Sequence, residues 1–218
     1  MVQILWLDLD RVEYGAAFAV QETLYQRCRE QGQDILLFQE NHPVITLGRS
    51  ASDEHITAPR EQLLRAGIAV RQVSRGGDVT YHGPGQLVIS PILHLKEYVR
   101  TVHEYVRQLE QVMLNLLTLY GFDGQRIAGA SGVWVGEKKV AAIGIAVRHG
   151  ITQHGMAINV HPDLRHFEYI IPCGIQDKGV TSLQELGAGT LTLEQVRNDF
   201  LAEFSRHFGV GLMARTVN

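Results

Sequence analysis

Residues 131–147, SGVWVGEKKVAAIGIAV, contain the pattern that decides the fold. Two apolar runs, 131–135 and 138–147, flank the dipeptide Gly136-Glu137, and a two-residue turn with glycine first is typical of a type II′ hairpin. The second run is apolar at both parities, with Ala141, Ile143 and Ile145 on one and Val140, Ala142 and Ala146 on the other. We therefore predict a β-hairpin whose second strand is covered on both faces.

Around this hairpin the chain alternates unevenly between strand and helix patterns. Further strands are predicted at 2–7, 34–38, 44–47, 68–73, 87–93 and 152–160. Helices are predicted at 13–30, 59–65, 101–120 and 193–208, with Thr192 as an N-cap and a loose tail over the last five residues. The longest helix has a buried stripe formed by Val102, Val106, Leu109, Val112, Met113 and Leu116. Several strands follow one another directly, which favours one α+β domain over 1–218, with a mixed or antiparallel sheet flanked by helices, over a doubly wound fold.

The bulk composition is that of an ordinary globular protein. The 218 residues are 45% hydrophobic and carry a net charge of −3, which argues against a nucleic-acid binder because such proteins usually have a basic excess. No run approaches the roughly 18 apolar residues of a membrane span, and the N-terminus lacks the basic region of a secretory leader. The only cysteines, Cys28 and Cys173, are far apart. We expect a cytoplasmic protein with two free thiols.

The glycine-rich segment, residues 75–86 (RGGDVTYHGPGQ), is the most unusual part of the chain. Glycines let the backbone approach a ligand, and Arg75 and His82 add charge and hydrogen-bonding capacity at the same place. The alternative is a loop with two tight turns and no ligand. The segment has neither the phosphate-loop pattern nor a dinucleotide-binding pattern before a helix.

Cys173 lies between Pro172 and Gly174, where a turn would expose its thiol. Cys28 lies on the apolar stripe of the first helix, where core packing is expected. Cys173 has two interpretations: a buried small hydrophobe, or a nucleophile whose thiol pKa is lowered by a nearby cation or base.

Lys139 could supply that cation. It begins the doubly apolar strand and has the same parity as Ala141, Ile143 and Ile145, and an inward lysine tends to find an anion or lose its charge. The alternative is a lysine at the end of a hairpin that extends to solvent. Only this parity argument separates Lys139 from Lys138.

Other chemistries have less support in the sequence. The ten histidines form no H-x-H, H-E-x-x-H or Cys/His cluster, so His154, His161 and His166 are interpreted as surface or hydrogen-bonding residues. There is no Gly-x-Ser-x-Gly elbow of a serine hydrolase.

Four segments together resemble the lipoyl (octanoyl) transferases, also called the lipoate–protein ligase B family. They are RGGDVTYHGPGQLVISP at 75–91, GVWVGEKKVAAIGI at 132–145, TQHGMAIN at 152–159, and PCGI at 172–175 with VTSL at 180–183. They occur in the family's order from about residue 40 to residue 186. The residue after the two glycines, Asp78, is one that varies in this family.

This resemblance implies a fold like the catalytic domain of biotin and lipoate protein ligases. It implies an acyl-thioester on Cys173, and it selects Lys139 rather than Lys138 as the partner of that thiol. It also implies an acyl pocket lined by three segments, which comprise Arg75, Gly76, Gly77, Asp78, Val79, Thr80, Tyr81 and His82, then Ala142, Ile143 and Gly144, then Gly155, Met156 and Ala157.

The reaction implied is octanoyl transfer from acyl carrier protein to a lysine of lipoyl domains, without ATP, metal or another cofactor. The acceptors would be the lipoyl domains of 2-oxoacid dehydrogenase complexes and the glycine-cleavage H protein. Gly174 and the Gly76-Gly77 turn are candidate oxyanion donors, and Arg49, Arg75, Arg148 and His149 are candidate contacts for an acidic carrier protein.

Two rival functions remain open at this point. An ATP-dependent lipoate or biotin ligase on the same fold would form an adenylate and need no catalytic cysteine. A non-catalytic binding module for lipoyl domains or fatty acids would leave Cys173 no more reactive than Cys28.

Overall fold

The computed structural model describes residues 2–171 and 178–215. Its helices are α1 (Tyr14–Gln31), α2 (Arg60–Arg65), α3 (Val102–Leu119) and α4 (Leu193–Phe208), with short 3-10 segments at Asp53–His55, Leu95–Glu97 and Leu164–Tyr169. None of the helices in the described ranges is both long and apolar enough to cross a membrane.

The described strands are β1 (Gln3–Val12), β2 (Ile35–Asn41), β3 (Val44–Leu47), β4 (Ala69–Gln72), β5 (Val79–His82), β6 (Gln86–Ile92), β7 (Gly124–Ile127), β8 (Ala130–Val135), β9 (Lys138–Arg148), β10 (Ile151–Asn159), β11 (Gly179–Val180) and β12 (Gly211–Ala214). The large sheet has the order β12-β1-β2-β6-β10-β9-β8-β7, with β11 paired to β9. The small sheet has the order β4-β3-β5. Both sheets mix parallel and antiparallel pairs, so the predicted α+β fold with a mixed sheet is confirmed.

The two faces of the large sheet are covered by different helices. Leu36 and Phe38 of β2 face the main core, which contains the buried stripes of α3 and α4. Ile35 and Leu37, at the opposite parity, face a second core with Leu24, Tyr25 and Cys28 of α1. Beyond α1, the small sheet and α2 build a third core around Ile45 and Tyr81. This division leaves part of the α1-side face of the large sheet beneath the small sheet.

The helices follow their sequence signals closely. α4 begins after Thr192, whose hydroxyl accepts from the Gln195 N–H while the Gln195 side chain accepts from the Thr192 N–H. In α3 the predicted buried stripe is confirmed at Leu109, Val112, Met113 and Leu116, whereas Val106 is half-buried and Val102 is 45% exposed.

Four short strands were not predicted: the two-residue β11 and three strands of four residues. β5 lies within the glycine-rich segment, β7 within a polar stretch, and β12 overlaps the expected tail, where Ala214 pairs with Trp6 of β1. Each of these three has four residues and owes its conformation to pairing with a distant partner, so local apolar alternation gives little signal.

The hairpin at 131–147 forms as predicted, with Val135 opposite Lys138 and a φ of 56° at Gly136. One detail differs from simple alternation. Val133 pairs with Ala141 but Trp134 pairs with Lys139, so β9 has one extra residue, a β-bulge, at Val140. Val140 and Ala141 both face the main core. The bulge therefore turns Lys139 to the face that carries Ala142 and Gly144, opposite to the parity expected from sequence.

Candidate functional site

A cavity of about 810 Å³, here called the central cavity, lies between the large sheet, the small sheet and the first turns of α1. One side is formed by the glycine-rich segment and another by β9 and β10. The three segments expected from sequence meet here, as all of the proposed acyl-binding residues except Tyr81 line the cavity. The lining also includes Tyr14, Phe18, Gln21, Gln39, Arg49, His55, Val88, Ser90, Lys139 and His154.

The floor of the central cavity is a track of mostly small side chains that crosses four strands. Ala142 of β9 lies opposite Ala157 of β10, which lies opposite Val88 of β6, which lies opposite Gln39 of β2. The adjacent row begins with Gly144 opposite Gly155. Small residues in these rows leave open volume above a sheet that would otherwise be filled by packed side chains.

The close packing of β10 against β6 requires a glycine at position 155. A Cβ at Gly155 would lie 2.1 Å from the Ile89 carbonyl oxygen and 2.7 Å from Pro91 Cδ. Both are in a central strand that cannot move away without breaking the ladder. Gly155→Ala should lower the free energy of unfolding by about 2–3 kcal/mol, the usual cost of overpacking, measured by urea denaturation.

The matched control for this change is Gly15→Ala. Gly15 is in the first turn of α1, and an added Cβ there meets nothing within 4 Å. Alanine should be neutral or stabilise the protein by up to about 1 kcal/mol. Equal urea midpoints for Gly155→Ala and the unmodified chain would show that the β10–β6 contact is not tight.

The glycine-rich segment is fixed to the small sheet through Arg75 and to the large sheet through Gly76. The guanidinium of Arg75, 8% exposed as a residue, donates to the Thr46 carbonyl at 2.7 Å and to the Thr46 hydroxyl at 2.9 Å. The next N–H, of Gly76, donates to the Ile145 carbonyl at 2.8 Å. A Cβ at Gly144 would approach the Gly76 carbonyl oxygen to 3.0 Å, so a glycine in β9 lets the segment lie close against the strand. These contacts fix the glycine-rich segment in place as one wall of the cavity.

Tyr81 is the one expected cavity residue that lies elsewhere. Its side chain packs in the third core against Phe167, and its hydroxyl is 2.7 Å from His166 Nδ1. Because side chains alternate along β5, Thr80 and His82 face the cavity while Tyr81 and Val79 pack in the third core, and of these two only Val79 also lines the cavity. Tyr81 therefore packs on the side of the glycine-rich segment that faces away from the cavity.

Two histidines bring neutral imidazoles to the cavity. His154 is 7% exposed, and its Nε2 is 2.9 Å from the Ser74 hydroxyl. Burial, with a further contribution from the Arg75 charge, lowers the pKa of His154 to about 4. Burial is also the main reason that the pKa of His82 falls to about 4, although its bond to Gln86 opposes the shift. Both rings are uncharged at neutral pH.

His154 should make stability depend on pH. Because its folded pKa of about 4 lies below the unfolded value of about 6.5, the unfolded chain binds more protons between these pH values. Its contribution is complete above pH 6.5 and is lost as the pH falls towards 4. His154→Asn, which tolerates the local φ of 55°, should reduce the loss of unfolding free energy over this window by up to about 3 kcal/mol. Urea titrations at several pH values measure it; parallel pH profiles would contradict the assignment.

Lys139 lies at the opposite end of the cavity floor from Gln39 and is 7% exposed. Its Nζ is 4.7 Å from the centroid of the buried Trp134 ring, a cation–π distance, and its strand neighbour across the ladder is Val180 of β11. Lys138 is exposed and pairs with Glu185 at 3.4 Å. The two lysines therefore differ in burial, and Lys139 is the one that lines the cavity.

Cys173 lies in 172–177, outside the described residues, as does Gly174. On both sides of this interval, described residues contact residues that line the cavity. Before it, the Ile171 N–H donates at 2.8 Å to the carbonyl of His55, which lines the cavity. After it, Val180 pairs with Lys139.

Cys28 belongs to a different cluster, buried beneath α1. Its thiol is 3.4 Å from Asp34 Oδ1 and 3.5 Å from His94 Nδ1, while the same carboxylate oxygen accepts from the His94 N–H at 3.0 Å. These three side chains present donor atoms within 4.8 Å of one another, a grouping that the sequence spacing does not reveal. Burial, followed by the charge of Asp34, raises the pKa of the Cys28 thiol to about 12.

Cys28 should therefore resist alkylation. At pH 8 a thiol of pKa about 12 is ionised in roughly one molecule in 10⁴, and the thiolate is the reactive form. In a Cys173→Ser background, iodoacetamide should label folded Cys28 at least about 100-fold more slowly than the same chain in urea, followed by intact-protein mass spectrometry. Equal rates in the folded and unfolded chains would show that the thiol is accessible.

Several cavity residues were not found from sequence. Tyr14, Phe18 and Gln21 come from one face of α1, whose apolar stripe was assigned to core packing. Gln39 lay just beyond the predicted strand 34–38, and His154 was interpreted as a surface or hydrogen-bonding residue; the structure places it in the wall, buried and hydrogen-bonded to Ser74. The sequence signal that could have identified them is a polar side chain at an inward position of a buried strand, because a buried polar group requires a hydrogen-bond partner or a ligand.

The proposed docking residues lie in different settings. Arg49 lines the cavity. Arg148 pairs with Glu22 at 2.8 Å and lies over the Tyr25 ring, and the Tyr25 hydroxyl is 3.0 Å from His149 Nδ1. Arg75 is buried in the wall. The four residues therefore do not form one exposed basic surface.

Comparison with known proteins agrees with this architecture. Residues 13–205 match the family described as Lipoyl protein ligase A/B catalytic domain. An octanoyltransferase of Solibacter usitatus is 48% identical over 203 residues, covering 92% of this chain and 91% of that protein. An octanoyltransferase of Chloroflexus aggregans is 49% identical over 185 residues, covering 82% and 83% respectively.

Solved structures show the same fold at low sequence identity. A putative lipoate protein ligase from T. acidophilum with bound lipoic acid superimposes with a TM-score of 0.81 at 20% identity, covering 100% of this chain and 90% of that one. A biotin protein ligase from Aquifex aeolicus gives a TM-score of 0.51 at 16% identity, covering 95% and 69%. The expected likeness to biotin and lipoate ligases is confirmed.

Proposed function

The chain belongs to the lipoyl protein ligase A/B catalytic-domain family, and we propose that it transfers octanoyl groups through a thioester on Cys173, with Lys139 as the acid and base. It is an acyltransferase of protein lipoylation, as its relatives of 41–49% identity are octanoyltransferases. Its donor is an acyl compound and its acceptor a lipoyl domain. The further proposal is that the donor is octanoyl-acyl carrier protein and that the acceptors belong to 2-oxoacid dehydrogenase complexes and the glycine-cleavage H protein.

The position of Cys173 in the chain supports its role as nucleophile. Cys173 follows Ile171 by two positions in the sequence, and the Ile171 N–H donates to the carbonyl of the cavity residue His55. The chain returns to pair with Lys139 only seven residues later. The alternative nucleophile, Cys28, is fully buried and has a strongly raised pKa.

The setting of Lys139 supports its role beside that thiol. It is buried, it lines the central cavity, and the bulge at Val140 directs it to the face of Ala142 and Gly144. As an ammonium, Lys139 would stabilise the Cys173 thiolate and then protonate the departing carrier thiolate, which leaves as a thiol. As an amine, it would accept a proton from the incoming acceptor lysine.

The reaction then proceeds in two balanced steps. The Cys173 thiolate attacks the carrier thioester, a new carbon–sulfur bond forms, and the carrier leaves as a thiol. The acceptor lysine attacks the Cys173 thioester, an amide forms, and the thiol is regenerated. The first step exchanges one thioester for another and the second gives a more stable amide, so no ATP is required.

The floor of the central cavity supports a straight acyl chain as the cargo. Ala142, Gly144, Gly155 and Ala157 leave an open track across the sheet, starting on β9, the strand that carries Lys139. Each methylene that leaves water for this track contributes about 0.8 kcal/mol. The seven carbons beyond an octanoyl carbonyl therefore supply a substantial part of substrate binding.

The observation that carries the proposal is the cavity with Lys139 at one end, together with the contacts of Ile171 and Val180, on either side of Cys173 in the sequence, with the lining residues His55 and Lys139. Intact-protein mass spectrometry after incubation with octanoyl-acyl carrier protein tests it. We expect one octanoyl mass on the peptide that contains Cys173, discharged by addition of a lipoyl domain, in the absence of ATP. Transfer that requires ATP and leaves Cys173 unmodified would overturn the proposal in favour of an adenylate-forming ligase.

A further inference from the structure

The far end of the cavity floor carries a polar group that the reaction described above does not use. Gln39 of β2 is 4% exposed and lines the cavity. Its Nε2 donates to Asn41 Oδ1 at 3.2 Å, which fixes the orientation of the amide. Among the described residues, no donor lies within hydrogen-bond distance of the buried Gln39 Oε1.

Neighbouring polar side chains of the same wall are satisfied. Gln21 donates to the Ser90 hydroxyl at 3.1 Å and accepts from the His154 N–H at 2.8 Å. Two other polar atoms of the cavity lining, His55 Nδ1 and Asp78 Oδ1, also lack a hydrogen bond, but their side chains contact each other, with His55 Nδ1 2.6 Å from Asp78 Oδ2. The Gln39 carbonyl has no such contact among the described residues. A buried acceptor left dry costs about 1–3 kcal/mol, so a cavity ligand must bring a donor to it or leave room for water.

The register of the sheet places Gln39 at a defined distance from the start of the track. Ala142, Ala157, Val88 and Gln39 occupy one row on four adjacent strands. With strands about 4.8 Å apart, Ala142 and Gln39 are separated by roughly 14 Å.

An extended acyl chain can be laid along this row. A carbon–carbon bond of about 1.52 Å at a tetrahedral angle advances about 1.25 Å per carbon. If the carbonyl carbon lies over β9, an octanoyl chain ends about 9 Å away, over Val88 of β6. A dodecanoyl chain extends about 14 Å and brings its methyl group against Gln39.

On this geometry, and resting on the proposed octanoyl transfer, we propose that Gln39 determines chain-length specificity by its unmet need for a hydrogen-bond donor. An eight-carbon chain leaves space for water at Gln39 Oε1. A twelve-carbon alkyl chain displaces that water and offers no donor, whereas a terminal hydroxyl on the same chain supplies one. The end of the cavity therefore recognises polarity as well as length.

The test compares three donors, octanoyl-, dodecanoyl- and 12-hydroxydodecanoyl-acyl carrier protein, by the rate of Cys173 acylation at low donor concentration. In the unmodified protein, the 12-hydroxy chain should react about 5- to 150-fold faster than dodecanoyl, the fold-change equivalent of about 1–3 kcal/mol. In Gln39→Leu this preference should disappear and the dodecanoyl-to-octanoyl ratio should rise by a similar factor. Gln26→Leu, on the exposed face of α1, is the matched control and should keep the original ratios.

The outcomes separate this inference from the function on which it rests. Normal octanoyl transfer with equal rates for the two twelve-carbon chains in the unmodified protein overturns the role of Gln39 and leaves the function intact. Absence of octanoyl transfer overturns the proposed function itself. The comparison of the two twelve-carbon donors needs no variant, so it decides the matter even if Gln39→Leu destabilises the chain through Asn41.

Discussion

Cys173→Ser is expected to reduce octanoyl transfer by at least about 10³-fold and to abolish the thioester adduct. A serine hydroxyl stays protonated at neutral pH, and Lys139 cannot ionise it as it would a thiol, so the covalent intermediate does not form at a useful rate. Initial rates of lipoyl-domain octanoylation give the size of the loss. Intact-protein mass spectrometry shows whether the adduct forms.

Cys28→Ser is the control for this change. Cys28 lies on the core-facing side of α1 and does not line the central cavity, so transfer should stay within about twofold of the unmodified protein. If the octanoyl adduct still formed in Cys173→Ser but was lost in Cys28→Ser, Cys28 would be the nucleophile and the proposed mechanism would be refuted.

Lys139→Met is expected to reduce transfer by about 10²- to 10⁴-fold, the range associated with loss of a general acid–base group. Methionine replaces the buried stem over Trp134 with a side chain of similar length, so packing is largely preserved. The change should also move alkylation of Cys173 to higher pH, because the thiolate loses its neighbouring cation. A pH profile of iodoacetamide labelling, read at the Cys173 peptide, measures this shift.

Lys138→Met provides the matched lysine control. Lys138 is adjacent in sequence but exposed, and its contact with Glu185 is a surface ion pair of small energetic value. Transfer and the alkylation profile should both be nearly unchanged. If Lys138→Met and Lys139→Met had equal effects, the chemistry would depend on the general charge of this strand rather than on a buried ammonium.

The segments of the candidate site are visible in the sequence because their residues are locally unusual, but it was the family resemblance that joined them into one predicted site and selected Lys139. Four glycines in 75–86, small residues at 142, 144, 155 and 157, and a cysteine between proline and glycine are visible without coordinates. The hairpin at 131–147 and the helices also form where their patterns place them, because turn chemistry and helical spacing are local signals.

The reason given for Lys139 was incorrect, although Lys139 does line the cavity. Strand alternation assigned it to the side of Ala141, and the structure places it on the side of Ala142. The bulge at Val140 is set by pairing of β9 with β8, which a single strand pattern does not report. Tyr81 was expected to line the cavity but packs in the third core, because belonging to a cavity segment does not fix the direction in which a side chain points.

The sequence by itself determined the α+β class, the helices, the central hairpin and the set of small and glycine residues around which a ligand can lie, because these depend on local patterns. Only the tertiary structure decided which side chains share the cavity. It brought α1 residues and His154 to the wall, turned Lys139 inward, and set Gln39 at the end of a row that crosses four strands. Such neighbours are created by strand register between distant segments, and register depends on packing of the whole sheet.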